Sequence, residues 1–150
     1  MRWKRWLVLG IVSLVSLTGC ATTQEPMVSM EKSLYERLGG KPAITAVVDD
    51  FVLRVVKDNR INRFFAHTEP GPFKARLIDQ LCEASGGPCK YTGRDMKTTH
   101  QGMSITNADY DAMVEDLVIT LDKFKFWIPE TEKNELLAVL GPMRKDIVTK

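Results

Sequence analysis

The chain is expected to fold as a small all-α domain. Three observations predict this. Apolar residues recur at intervals of three and four along most of its length. Ser, Thr, Pro and Gly, which start and stop helices, fall at the ends of those stretches. No segment alternates apolar and polar residues as a half-buried strand would. The chain has 150 residues, 44% of them hydrophobic, which is enough for one domain with its own core.

Residues 1–19 stand apart from that domain. Arg2, Lys4 and Arg5 give a positive start, residues 7–17 are apolar, and Gly19 precedes Cys20. This is the layout of a secretory signal peptide. The apolar run is shorter than the about 20 residues that span a bilayer, although an uncleaved membrane anchor is the alternative. Leu17-Thr18-Gly19-Cys20 resembles the lipobox of bacterial lipoproteins. That resemblance implies cleavage before Cys20, lipidation of its sulfur and amine, and a cell-envelope lipoprotein on the periplasmic side. In such lipoproteins an aspartate after the cysteine retains the chain at the inner membrane. Ala21 stands there instead, so the outer membrane is favoured. Residues 20–32 are then the lipidated Cys20 and a tether, polar over 21–29 with Pro26 among them. Loss of residues 1–19 removes three of the 21 basic residues and none of the 19 acidic ones, leaving 18 against 19. This near-neutral balance gives no electrostatic case for nucleic acid as a partner.

Residues 33–150 carry the helical signals. Ser33 followed by Glu36 has capping-box spacing, and the short helix it opens should stop at Gly39-Gly40. Pro42 suits the first turn of a second helix running to Asn59. There Ile44, Val47, Val48, Phe51, Val52 and Val55 share a face; the β-branched content suggests a strand, but the length and Asp49-Asp50 favour helix. Pro70 and Pro72 open a third helix, with Phe73, Leu77, Ile78 and Leu81 on one side and Gly86-Gly87-Pro88 after it. A short helical stretch is expected from Met96 to His100. Thr106 with Asp109 caps a longer helix striped by Tyr110, Met113, Val114, Leu117, Val118 and Leu121. Pro129 begins the last helix, carrying Leu136, Leu137, Leu140, Met143 and Ile147, with Pro142 as a kink inside it.

His100 is one of only two histidines. Taken alone, it reads as a surface residue or a satisfied core residue, because no partner stands at ligand spacing. The motifs around it change that reading. Gly39-Gly40, Phe64-Phe65, Gly86-Gly87-Pro88, Tyr91-Thr92-Gly93 and a histidine nine residues after the tyrosine occur in order. From about Ser33 to Ile147 the chain resembles the group 1 truncated haemoglobins. The resemblance implies a truncated globin fold over residues 33–150, a two-over-two helical sandwich around haem b (iron protoporphyrin IX). It implies that His100 is the proximal iron ligand. Met96, one turn earlier on the same face, would pad the haem. Phe51, Val52, Phe64, Phe65, Phe73, Arg76, Leu77, Tyr91, Ile105, Tyr110 and Met113 are expected to surround it. Arg76 and Lys74 are placed to meet the propionates, with a solvated helix face as the alternative. His67 reads as a solvated turn residue; contact with a propionate or with the iron's sixth position is the other option.

The distal side departs from the family. Many members carry a tyrosine directly after the phenylalanine of the second helix, and here Val52 follows Phe51. Leu77 stands where glutamine is common, and Phe73 holds the gate position. Val52, Phe73 and Leu77 would make this side apolar, and Gln80 is expected to point away. A missing donor costs about 1.5–3 kcal/mol of stabilisation for the charge on held oxygen. Oxygen release should therefore be fast, with nitric oxide and carbon monoxide relatively favoured.

Cys82 and Cys89 lie seven apart. An exported chain meets an oxidising compartment, so a disulfide is favoured over a buried Cys82 with a free Cys89. Neither belongs to a Cys-x-x-Cys-His motif, and covalent haem is not expected. The function expected is a haem-binding globin of the envelope that binds oxygen, nitric oxide or carbon monoxide. A haem enzyme (nitric oxide dioxygenase or peroxidase-like) would need a redox partner, and a gas or redox sensor would need a separate output partner.

Overall fold

A computed structural model describes residues 31–150. The expected signal peptide, Cys20 and most of the expected tether lie outside the described residues.

Helix α1 (Leu34–Arg37) opens on the expected capping box. Ser33 Oγ accepts from the Glu36 amide at 3.3 Å, and the Glu36 carboxylate accepts from the Ser33 amide at 2.9 Å. Gly39, at φ 96°, turns the chain directly into α2 (Gly40–Val55). A side chain there would be strained, because that φ lies in the left-handed region. Pro42 is the third residue of α2, still in the turn whose N–H groups have no helical partner. The helix ends at Val55, four residues before the expected end at Asn59. Asp58 redirects the chain, its carboxylate accepting from the Arg60 amide at 2.9 Å.

Asn62–Phe65 form a 3₁₀ turn that the periodicity did not reveal. Then come α3 (Pro70–Ala84), α4 (Met96–His100) and α5 (Asn107–Lys123). The Asp95 carboxylate caps α4 by accepting from the Thr98 amide at 2.8 Å. Thr106 and Asp109 form the second capping box. Hydrogen bonds from Thr106, helped by Arg63, hold the Asp109 carboxyl down at about 2.

The end of the chain differs from the expectation of one kinked helix. Helix α6 (Glu130–Leu140) gives way to a 3₁₀ turn at Gly141–Met143, and α7 (Arg144–Ile147) follows as a separate piece. Pro142 has no N–H for the carbonyl one turn behind it, and its ring crowds that carbonyl, so the α-helical ladder stops. Among the described residues no strand occurs.

Helix α2 packs against both α3 and α5, and α1 against α6. Leu34, Leu38, Val47, Leu121, Ile128 and Leu136 form one buried cluster. Ile44, Val48, Val52 and Cys82 form a second, between α2 and α3. Ile105, Tyr110 and Ile147 form another near α4, with Met96, Met113 and Met143 packed on it. Cys82 and Cys89 are joined by a disulfide, with Cα atoms 5.7 Å apart, which staples the end of α3 to the loop leading to α4. Near the other end, the Thr149 and Lys150 amides donate to the Ile105 carbonyl at 2.9 and 3.1 Å. The Ile105 amide donates in return to Thr149 Oγ1 at 3.0 Å.

Candidate functional site

A cavity of about 480 Å³ lies between the α2–α3 cluster and the cluster formed by α4, α5 and α7. That size falls within the ~300–1,000 Å³ typical of cofactor clefts. Val48 and Phe51 of α2 and Phe73 and Leu77 of α3 give it one apolar side. Phe65 joins them, its ring centroid 5.4 Å from that of Phe73. Met96, His100, Tyr110, Met113, Met143 and Ile147 line it from α4 and the helices behind.

His100 is half-buried, in the last turn of α4. Its Nδ1 lies 2.7 Å from the Met96 carbonyl oxygen. A carbonyl can only accept, so Nδ1 carries the proton and donates. In the neutral ring the lone pair is then on Nε2, which is the form a metal ligand takes. The turn that makes this possible is set locally, since the Asp95 cap starts α4 one residue before Met96.

The loop between α3 and α4 closes another side with Tyr91, Thr92, Gly93 and Arg94. The Tyr91 amide donates to Glu83 at 3.0 Å, and its hydroxyl donates to the Arg94 carbonyl at 2.8 Å. Gly93 lies against the Tyr91 ring so closely that a Cβ would overlap the phenol. Arg76 lines the cavity at its exposed rim and donates to Thr92 Oγ1. Tyr110 is buried, which pushes its phenol pKa up, and Arg144 stacks 4.4 Å from the ring centre.

Three residues expected around the cavity do not line it. Val52 is 3% exposed and lies within the α2–α3 cluster on which Phe73 and Leu77 pack, whereas Val48, one turn earlier, reaches the cavity. Phe64 turns toward Val55, Ile61 and Ala112, with the Arg63 guanidinium 4.3 Å from its ring centre. Ile105 is buried against Tyr110 and Ile147. Lys74, expected near the rim, is instead paired with Asp49 at 2.7 Å. His67 is exposed in the turn before α3.

Gln80 corrects the opposite error. Expected to point away, it lines the cavity, with Nε2 3.4 Å from the sulfurs of both Met96 and Met143. It stands three, four and seven residues after Leu77, Arg76 and Phe73, so one helix face carries all four. That spacing was available in the sequence. Met143 was harder to foresee, because its direction depends on the break at Pro142.

Comparisons with known proteins agree with this architecture. Residues 33–149 match the family described as bacterial-like globin. A group 1 truncated haemoglobin of Tetrahymena pyriformis is 34% identical over 119 residues, covering 79% of this chain and 97% of that protein. One of Synechocystis is 37% identical over 113 residues, covering 73% and 90%. The crystal structure of the Tetrahymena pyriformis protein in its Fe(III) form superposes with a TM-score of 0.75 at 34% identity, covering 79% of this chain and 100% of the other. That of the 2/2 haemoglobin from Synechococcus sp. PCC 7002, in the cyanomet state with covalently attached haem, gives 0.74 at 32% identity with the same coverage. The all-helical fold is thus the two-over-two sandwich, and the chain belongs to the bacterial-like globin family, among the group 1 truncated haemoglobins.

Proposed function

We propose that the protein binds haem b in this cavity with His100 as the iron ligand, and takes up oxygen, nitric oxide or carbon monoxide there. One observation carries the reading: the Nδ1 proton of His100 is committed to the Met96 carbonyl at 2.7 Å, on the wall of a largely apolar cavity. The residues present fit the group. Phe51, Phe65, Phe73, Leu77 and Met113 suit a flat apolar macrocycle. Arg76 at the exposed rim suits its carboxylates. A single imidazole nitrogen suits a metal whose in-plane bonds the macrocycle supplies. Bound haem would contribute the iron at which a gas is held.

The chain's own contribution is to position that group and set the polarity above it. Val48, Phe51, Phe65, Phe73 and Leu77 exclude water and offer no hydroxyl or amide. The Tyr91 hydroxyl is engaged by Arg94, and the Gln80 amide rests on Met96 and Met143, beside the histidine's own turn. Oxygen, which needs a donor most, is therefore held weakly, while nitric oxide and carbon monoxide lose less. Catalysis that depends on retained oxygen is disfavoured for the same reason, and gas binding is preferred over a dedicated enzymatic role. A cell-envelope location, on the periplasmic side and by Ala21 at the outer membrane, belongs to the same proposal and is supported by the leader-like pattern that ends at Cys20.

Optical spectra of the purified protein in ferric, ferrous and carbonyl forms test the proposal. A Soret band shifting between the three states is expected, lost or strongly altered in His100→Ala. A protein that stays colourless after haem is supplied, or spectra untouched by the substitution, refutes it.

A further inference from the structure

We propose that the turn from Lys123 to Trp127 is a membrane-contact surface that rests in the headgroup layer of an anionic bilayer. The inference rests on the reading that a lipidated Cys20 holds the chain at a membrane.

The turn reads Lys-Phe-Lys-Phe-Trp. Phe126 is 89% exposed and Trp127 71%, more than any other large hydrophobic residue described. Residues on either side point inward: Phe124 packs on the core cluster that contains Ile128. The Phe124 and Trp127 rings lie 5.9 Å apart between centroids. The turn is thus held from beneath while it presents two aromatic side chains to the outside. Lys125 lies 6.0 Å from the Phe126 ring centre and forms no ion pair among the described residues. Lys123 is paired with Asp50, so Lys125 is the ammonium this turn offers. Aromatic rings beside such a lysine are the composition that settles at a membrane interface, where rings enter the headgroup layer and the ammonium meets anionic lipid.

The path of the chain favours a bilayer over other occupants. Ile128, next to Trp127, shares a buried cluster with Leu34 and Leu38 of α1. Arg37 pairs with Glu132 at 3.3 Å and also with Glu135, which ties the start of the domain to α6. Arg37 also donates to the Lys32 carbonyl at 2.8 Å, so the segment arriving from Cys20 joins the domain against α6, the helix that this turn leads into. The residues between Cys20 and Glu31 can extend at most about 40 Å, so a membrane holding Cys20 stays within reach. A second copy of the chain fits less well. Two aromatic side chains bury about 150–250 Å² each, short of the roughly 800 Å² per partner of a stable interface.

The test returns the purified full-length protein to vesicles of phosphatidylcholine, with or without phosphatidylglycerol. Some vesicles carry lipids brominated near the carbonyls, others at mid-chain. Trp3 and Trp6 leave with residues 1–19 on cleavage before Cys20, so Trp127 reports alone in the lipidated chain, and a Trp127→Phe chain supplies the background of any unprocessed protein. Trp127 emission should shift to the blue, lose access to aqueous acrylamide and be quenched mainly by the shallow bromines, more so with phosphatidylglycerol. Phe126→Ser and Lys125→Glu should remove the shallow quenching. Trp127 remaining open to acrylamide on vesicles overturns the proposal. So does a blue shift that appears without lipid and grows with protein concentration, which marks self-association. Mass spectrometry of the peptide containing Cys20 separates the two readings: a lipidated chain with a solvent-exposed Trp127 refutes the turn alone, and an unmodified Cys20 refutes the anchor alone.

Discussion

Leu77→Gln places one hydrogen-bond donor on the apolar side of the cavity and should convert a fast-releasing oxygen site into a slow one. Leu77 lines the cavity one turn beyond Phe73 and packs on the α2–α3 cluster. The new side chain is close in volume to leucine, and a cavity of about 480 Å³ gives its amide room to turn inward. An N–H bonded to a charged oxygen stabilises it by about 1.5–3 kcal/mol. At 1.4 kcal/mol per factor of ten, the oxygen off-rate should fall roughly ten- to a hundredfold. A counter-effect acts on the gas-free protein, where an amide in apolar surroundings costs about 1–3 kcal/mol. That lowers thermal stability but leaves the off-rate, which starts from the gas-bound state. Stopped-flow displacement of oxygen by excess carbon monoxide, compared between wild type and variant, gives the number. Carbon monoxide release, displaced by nitric oxide, is the control and should change little, because that ligand carries less charge. An unchanged oxygen rate refutes the reasoning. So does an equal change for both gases, which would mark a steric effect.

The other predictions concern the frame of the site. Replacing Cys82 and Cys89 by serine, or reducing their disulfide, should cost about 2.5 kcal/mol for so short a loop. A drop in the thermal midpoint of about 10 °C checks this, and an unchanged midpoint contradicts it. Asp116 is 4% exposed, with a carboxylate oxygen that has no hydrogen-bond partner; burial and then the nearby Asp58 raise its pKa. A raised folded-state value gives stability that is present below the ordinary carboxylate range, about 4, and lost as the pH rises through the folded value. Asp116→Asn should therefore raise the melting temperature at neutral pH and flatten its fall above that range. Asp109 has the opposite sign, with stability lost as the pH falls toward its value of about 2. Thermal melts across acid and neutral pH distinguish the two. Gly93→Ala should drive its new methyl into the Tyr91 ring and, at about 1–3 kcal/mol of overpacking, loosen that wall of the cavity. Faster haem loss to a scavenging apoglobin is expected, and an unchanged rate refutes the close packing as a constraint.

The helices were largely legible because their signals are local. The Ser33–Glu36 and Thr106–Asp109 capping boxes, and the three-and-four spacing between Phe73 and Leu81, depend on neighbours a turn away. The errors fall where distant packing decides. Val52 shares a helix face with Val48, but α3 packs over it and buries it in the α2–α3 cluster, while Val48 reaches the cavity. Phe64 and Phe65 are adjacent in the 3₁₀ turn and both pack on the Val55–Ile61 cluster, yet only Phe65 also reaches the cavity. The break at Pro142 was visible as a proline, but its consequence for Met143 was not, since that depends on where α7 docks. Gln80 is a different case: its spacing already put it beside Leu77 and Arg76.

The reciprocal bonds between Ile105 and Thr149 have a practical consequence. They fasten the last two residues to a strut that begins only five positions after His100. Trimming beyond Val148, or fusing a bulky reporter close behind Lys150, would tug on the histidine's own scaffolding. Libraries that vary this tail would thus be sampling gas affinity as well as solubility, and a purification handle is safer elsewhere.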